Sequence, residues 1–395
     1  MRILAVSHTP VWPVRSGSAI RRVMSLRALA SFGRVDLLYI GEADGCASAT
    51  PADAPVARVW ELPVQRVRPG LIARAAWLAR PQRPFEFLEW AGPRGAELSS
   101  RPYDVIWYFT PVAHFLAGYR PARVTVVDLG DLEDHKLRLK ARFTTGRTNS
   151  RRRLVEARNA TAWTRYQRTL AAQVHAVTVC NEADRTALAA DNCYVVPNGF
   201  PEVEPRIETD TVGATVLFVG LLEYEPNADG AEFFVNEVLP LIRAAIPAAG
   251  VRLVGRASPR ARRLSGEGVE IVGEVPDLGA EYARAAVAIA PIRFGSGTRV
   301  KILEAFARQV PVVSTTMGAS GLGARHGEHL LLADEPASFA DACISVMKDQ
   351  HLRGRLVASA SDLYERQFGQ AAVTRSVGQV LNAVGCLPAV VPAAS

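Results

Sequence analysis

The sequence predicts an α/β protein of two domains, each a parallel sheet covered by helices on both faces. Three observations carry this expectation. A chain of 395 residues exceeds what one hydrophobic core comfortably holds. Short apolar runs alternate with helical patterns through the first half, and the alternation restarts near Thr215. Residues 286–290 are an apolar run that leads into Gly295-Ser-Gly297 and then a helical pattern from Thr298 to about Arg308.

Composition narrows the class. With 49% hydrophobic and 22% charged residues the chain reads as an ordinary soluble protein. Its longest apolar runs meet Pro, Arg or Asp well before the ~20 residues that a membrane span requires. The opening Met1-Arg-Ile-Leu-Ala-Val-Ser-His is too short an apolar run for a signal peptide and reads as a first buried strand. Five cysteines, at 46, 180, 193, 343 and 386, form no CxxC pair and suit reduced thiols in a cytoplasm, with neither disulfide nor metal site. A formal charge of +7 is compatible with nucleic acid, an anionic membrane surface or an anionic substrate, and alone decides among none of them.

The elements follow in order. Residues 3–6 read as the first strand, and the loop after it ends in Arg15-Ser-Gly17-Ser ahead of a helix over about 19–32. Residues 35–40 and 56–62 read as strands; residues 69–90 mix Arg, Trp, Phe and Pro without a clean period and read as a helical surface excursion. Residues 104–109 are a buried strand with His114 just beyond it, where a structural histidine is the commoner reading. The strand 123–127 runs into Asp128-Leu-Gly-Asp131-Leu-Glu-Asp-His135, and such a loop at a strand's C-terminal end is where an open α/β sheet presents groups to a ligand. Asp131 first and Asp128 second are the candidate contacts, with helix capping as the alternative.

From Lys136 to Arg168 the chain is strongly basic, with Glu156 its one acid, and 154–172 reads as a helix. A solvated face is the default for such a stretch. An anionic membrane surface or a phosphorylated acceptor comes next, whereas nucleic acid is not expected, because aromatics for base stacking are sparse. A strand over 176–180 and Val195-Val-Pro-Asn-Gly199 close the first half.

In the second half, strands are expected over 215–219, 251–254, 269–273, 286–290, 312–314 and 327–334, with helices from 336 to about 367 and beyond. Arg256, just past one strand end, is a candidate phosphate or base contact, with a surface arginine as the alternative. Gly295, Ser296 and Gly297 leave room beside the helix that starts at Thr298. Its free N–H groups and partial positive charge suit a phosphate. Arg299 and Lys301 add cations in the first turn, and Glu304, one turn past Lys301, is placed to accept from sugar hydroxyls. Taken alone, a tight strand-to-helix turn explains Gly-x-Gly equally well.

The stretch Gly297-Thr-Arg-x-Lys-x-x-Glu-Ala305, followed by Pro311-Val-Val-Ser-Thr315, resembles the donor-binding segment of retaining nucleotide-sugar glycosyltransferases of family four. Pro197-Asn-Gly199 fits the same family, and Asp128-x-x-Asp131 and Glu223-Tyr-Glu-Pro-Asn227 resemble its polysaccharide-associated members. The resemblance implies a GT-B fold, two Rossmann-like parallel-sheet domains facing a central cleft: 1–198 on the acceptor side, 199–370 binding the nucleotide sugar, and 371–395 returning to the first. It implies Gly17 near the donor phosphates, Glu304 on the nucleotide ribose, and Arg299 and Lys301 stabilising the leaving diphosphate. Asp131 or Asp128 would orient donor sugar or acceptor, and 69–90 would help shape the acceptor pocket. No cofactor or metal is implied. The partners would be a nucleotide sugar and an acceptor, in the cytoplasm, with peripheral contact of 136–168 on an anionic membrane.

Two departures from the family pattern stand out. Leu221 and Asn227 occupy positions where many members carry an Arg and a Lys, and the first of two glutamates eight positions apart falls on Ser296. Base, donor sugar and acceptor are therefore left open. So are two other readings, an epimerase or hydrolase of nucleotide sugars on the same architecture and a non-catalytic basic binding protein.

Overall fold

The computed structural model describes all residues except 15, 43–44, 82, 92–101, 119–121, 144–149, 206–212, 296–298 and 388–395, with the side chains at 91, 139–143 and 150–152 also left aside. Ser296, Gly297 and Thr298 thus lie outside the described residues. The chain divides into two units, Met1–Gly199 with Gln370–Ser395, and Phe200–Gly369.

The first unit is built on seven strands: β1 (Arg2–Ser7), β2 (Arg34–Gly41), β3 (Arg58–Pro63), β4 (Tyr103–Tyr108), β5 (Ala122–Gly130), β6 (Ala176–Val179) and β7 (Cys193–Val195). Their order is β3-β2-β1-β4-β5-β6-β7, and every pair is parallel. Both faces of such a sheet are covered, which is why Ile3 to Val6 and Val105 to Tyr108 read as unbroken apolar runs. Strand order reverses direction between β1 and β4, a topological switch point.

Helix α1 (Gly17–Ala30) begins where the Ser16 hydroxyl accepts from Ala19 N at 3.2 Å, an N-cap that starts the helix two residues before the expected 19. Two further helices, α2 (Glu133–Phe143) and α3 (Ser150–Gln173), carry the basic stretch.

The second unit repeats the plan with six parallel strands: β8 (Thr215–Val219), β9 (Gly250–Val254), β10 (Val269–Gly273), β11 (Val287–Ala290), β12 (Val312–Ser314) and β13 (Leu331–Leu332). Their order is β10-β9-β8-β11-β12-β13, so the switch point falls between β8 and β11. Helices α4 (Glu225–Phe233) and α5 (Val300–Ala307) follow those two strands. The core here rests on Phe218, Phe234 and Phe339 with surrounding aliphatics.

Two expectations shift. The strand over 327–334 contracts to Leu331–Leu332, because Gly327 at φ +76° and the bonds of the 325–330 turn consume the rest. The expected helix start at Thr298 moves to Val300, with Arg299 as the preceding cap residue.

The last helix, α6 (Gln370–Ala383), belongs to the first unit. It lies on α1 so closely that a Cβ on Gly378 would meet the Phe32 ring at 2.8 Å, and Val373, Val377, Val380 and Leu381 complete that core.

Candidate active site

In the second unit the switch point gathers groups from three elements. Gly220 follows β8, Asn227 lies in the first turn of α4, and Lys301 lies in the first turn of α5. Lys301 Nζ donates to Asn227 Oδ1 at 2.7 Å and sits 4.3 Å from the Phe218 ring centroid. Asn227 Nδ2 donates in turn to Leu221 O at 2.9 Å, so one side chain anchors both the strand-end loop and the ammonium. A Cβ on Gly220 would stand 3.2 Å from Nζ, which is why a residue without a side chain serves there. Burial lowers the Lys301 pKa to about 7, and the charge of Arg299 pushes the same way.

One turn along α5, Glu304 is buried, and Arg308 Nε donates to its Oε1 at 3.2 Å. Burial raises the Glu304 pKa to about 7 against the opposing pull of Arg308. Arg299 Nη2 donates to Met317 O at 2.8 Å, Ser320 Oγ at 3.0 Å and Gly295 O at 3.4 Å. That guanidinium ties the turn before α5 to the turn after β12. Gly295 has φ +105°, and a Cβ on it would meet Pro226 Cγ at 2.9 Å. Arg256 is exposed beyond the end of β9, with Glu274 as a loose partner at 3.8 Å. A surface recess of about 380 Å³, lined by Val235, Leu239, Arg243 and Leu264 among others, includes none of these residues.

In the first unit the two expected aspartates separate in role. Asp128, at the end of β5, is 2% exposed and enclosed by partners. Arg21 Nε and Nη2 reach its two oxygens at 2.7 Å each, while Thr178 Oγ1 and Gly130 N donate to Oδ1 at 2.9 and 3.1 Å. Arg21 Nη1 continues to Val196 O at 2.7 Å and Asn198 Oδ1 at 2.9 Å. Asp128 therefore corrects the expectation of sugar contact: its lone pairs are used in joining α1, β5, β6 and the Pro-Asn-Gly turn.

Asp131 is more open, with its side chain 21% exposed and Lys136 Nζ 4.0 Å away. The Cys180 thiol donates to Asp131 Oδ1 at 2.6 Å, and burial pushes that thiol well above its usual range. Among the described residues the ligating atoms of Asp131, Cys180 and Asp184 lie within 4.8 Å of one another; His135 Nδ1 bonds to Asp184 at 2.8 Å. Gly17 is the first residue of α1. His8 Nδ1 and Thr110 Oγ1 bond at 2.7 Å across the ends of β1 and β4, and burial, with Arg22 nearby, lowers the His8 pKa to about 4. His114 is half-buried edge-on to Tyr108, and burial lowers its pKa too.

The structure thus brings Lys301, Glu304, Arg299 and Gly295 to one strand-to-helix junction, and leaves Asp131 the more accessible of the two expected aspartates. Arg21 and the anchoring role of Asn227 were missed in the sequence. A signal existed for Arg21, one of two adjacent arginines in the helix that follows the first strand. For Asn227 it was the replacement of a family cation by an amide.

Of the two Rossmann-like units, the second gathers Asn227, Lys301 and Glu304 at its switch point, a set compatible with a phosphate. Residues 213–349 match the family model described as Glycosyl transferases group 1. The chain is 26% identical over 194 residues to an uncharacterized 44.6 kDa protein in the cps region of Klebsiella pneumoniae, covering 46% of this chain and 50% of that protein. It is 28% identical over 181 residues to a phosphatidyl-myo-inositol mannosyltransferase of Mycobacterium leprae (strain TN), covering 44% and 47%. The matches thus span about half the length of these curated relatives.

Among solved structures, sucrose-phosphate synthase from Thermosynechococcus elongatus superposes with a TM-score of 0.66 at 16% identity, over 96% of this chain and 98% of that one. Anabaena Alr3699/HepE in complex with UDP gives 0.61 at 16%, over 97% and 100%. These likenesses give the fold, which is GT-B, and the matched segment 213–349 is the one that holds Asn227, Lys301 and Glu304.

Proposed function

We propose that this protein moves a sugar from a nucleoside-diphosphate sugar to an acceptor hydroxyl, in the cytoplasm, with retention of anomeric configuration and without a metal ion. The observation that carries this reading is the pairing on α5 of an enclosed amine, Lys301, with a buried carboxylate, Glu304, at the switch point of the second sheet. A helix N-terminus, a cation and a carboxylate three residues on are what a diphosphate followed by a ribose would meet. The complex of Alr3699/HepE with UDP supports the same donor class.

In this mechanism Lys301 and the N-terminus of α5 stabilise charge developing on the departing diphosphate, while Glu304 holds the ribose hydroxyls. Arg299 acts by fixing the Gly295 and Met317 carbonyls around the donor, and Arg256 is free to swing from Glu274 towards a phosphate. The departing phosphate itself accepts the proton of the acceptor hydroxyl on the same face of the sugar, so no paired carboxylates are needed. Asp131 orients the acceptor or donor sugar. The acceptor is a glycan, a lipid-linked intermediate or a small natural product.

The test is a thermal-shift screen against UDP, GDP, ADP, CDP and dTDP. One diphosphate at 100 times its dissociation constant is expected to add roughly 2.7 kcal/mol and to raise the melting temperature visibly. Glu304→Ala is expected to lose that shift. Absence of a shift with every diphosphate, repeated by titration calorimetry, overturns the donor site.

A further inference from the structure

We infer that the helix Leu71–Ala79 is a docking element for an anionic lipid bilayer, a role separate from the basic stretch 136–168. Its orientation is the reverse of what water favours. At 100° per residue, Leu71, Ile72, Ala75, Ala76 and Ala79 fall on the arc opposite Trp77. Trp77 is the buried residue of this helix, 5% exposed, while Leu71 and Ile72 are 84% and 88% exposed. The helix turns its apolar arc outwards and holds on by one aromatic anchor.

That anchor is fixed. Trp77 Nε1 donates to Arg83 O at 2.7 Å, its ring meets Phe85 edge-on at 5.2 Å, and Arg158 of α3 donates to the terminal carbonyls of Leu78 and Ala79. Leu154, one turn before Arg158 on α3, is also exposed, at 53%. Local order built around an outward apolar face implies a surface that covers it.

Charge identifies the cover. Between Glu61 and Glu86 the chain holds five arginines, at 66, 68, 74, 80 and 83, and no acid. Arg66 is paired with Glu89, whereas Arg68, Arg74, Arg80 and Arg83 are exposed, and by the helical period Arg74 and the C-cap residue Arg80 fall on opposite flanks of the apolar arc. Two bulky aliphatics flanked by guanidinium groups match the acyl boundary and the anionic headgroups of one leaflet. Each arginine near such a surface adds about fivefold to partition, an amount that salt screens.

The full chain is to be sedimented with vesicles of phosphatidylcholine containing 30 mol% phosphatidylglycerol, and with phosphatidylcholine alone. Binding is expected only to the anionic vesicles and is expected to weaken as salt rises. The double variant L71S/I72S is expected to bind roughly tenfold or more weakly at an unchanged melting temperature, and R74Q/R80Q to weaken binding by about an order of magnitude or more. Three results overturn the proposal: no binding to anionic vesicles, wild-type binding by L71S/I72S, or a wild-type dimer on a sizing column that L71S/I72S dissolves. The last would assign the face to a second copy. None of these readouts depends on sugar transfer.

Discussion

Lys301 carries its amine into a spot lined by Phe218, Asn227 and Gly220, and there its pKa falls to about 7. In the unfolded chain a lysine titrates near 10.5, so between about pH 7 and 10.5 the unfolded state binds the extra proton. The cost of charging Lys301 is fully present below about 7 and is relieved as pH rises through that window. Glu304 has the opposite sign. Its folded pKa is raised from 4.5 to about 7, so its contribution is fully present below about 4.5 and is lost as pH rises to about 7. A diphosphate reverses the situation at Lys301, because it restores the ammonium's preference for charge. At pH 8 its binding is expected to take up nearly one proton, read by calorimetry as a dependence of the heat on buffer ionisation enthalpy. At pH 6 the uptake should vanish. Lys301→Met should show none at either pH, and a wild-type heat independent of buffer at pH 8 contradicts this placement of the phosphate.

At the scale of elements, the site is a junction where backbone passes close to backbone. Gly255 follows β9 with φ +131°, and a Cβ there would stand 2.0 Å from Gly220 O, the carbonyl just past β8. No rotamer change relieves a clash with a main-chain atom, so Gly255→Ala must move the Gly220 loop or open the sheet end. The expected result is a loss of about 2–3 kcal/mol in denaturant unfolding together with weaker diphosphate binding. Unchanged binding would separate this loop from the donor site.

Legibility in the sequence also divides at this scale. The strands were readable because a sheet covered on both faces writes continuous apolar runs, as in Val216 to Phe218 and Val287 to Ala290. Glu304 and Lys301 were readable because their spacing along one helix is local. The Arg21 to Asp128 pair was not, since the partners lie 107 positions apart and only the fold joins them. Asp128 and Asp131 look alike as letters in one loop. Burial alone tells the structural acid from the accessible one, and burial here is set by α1 and β6.

Considered whole, the chain leaves the first unit at Gly199, builds the second over Phe200–Gly369 and returns at Gln370. The returning helix α6 is structural rather than ornamental. Val373, Val377, Val380 and Leu381 are each at most 1% exposed, and at ~1.5–3 kcal/mol per buried aliphatic they contribute roughly 6–12 kcal/mol. That sum is comparable to the entire stability of a typical domain, about 5–15 kcal/mol. Truncation after Gly369 is expected to leave the first unit open to limited proteolysis while fragments of the second survive. Equal protection of both units in the truncated chain would show that α6 is dispensable.

The returning helix also sets a timetable for synthesis. A ribosome adds about 5–20 residues per second. The 199 residues that open the first unit therefore wait roughly 10–30 s, while Phe200–Gly369 are made, before their closing helix emerges. The second unit, continuous in sequence, has all of its parts first, although its synthesis starts later. As that interval closes the nascent chain carries one body with all of its parts and one with the apolar side of α1 uncovered, the state in which a chaperone at the tunnel exit would meet it.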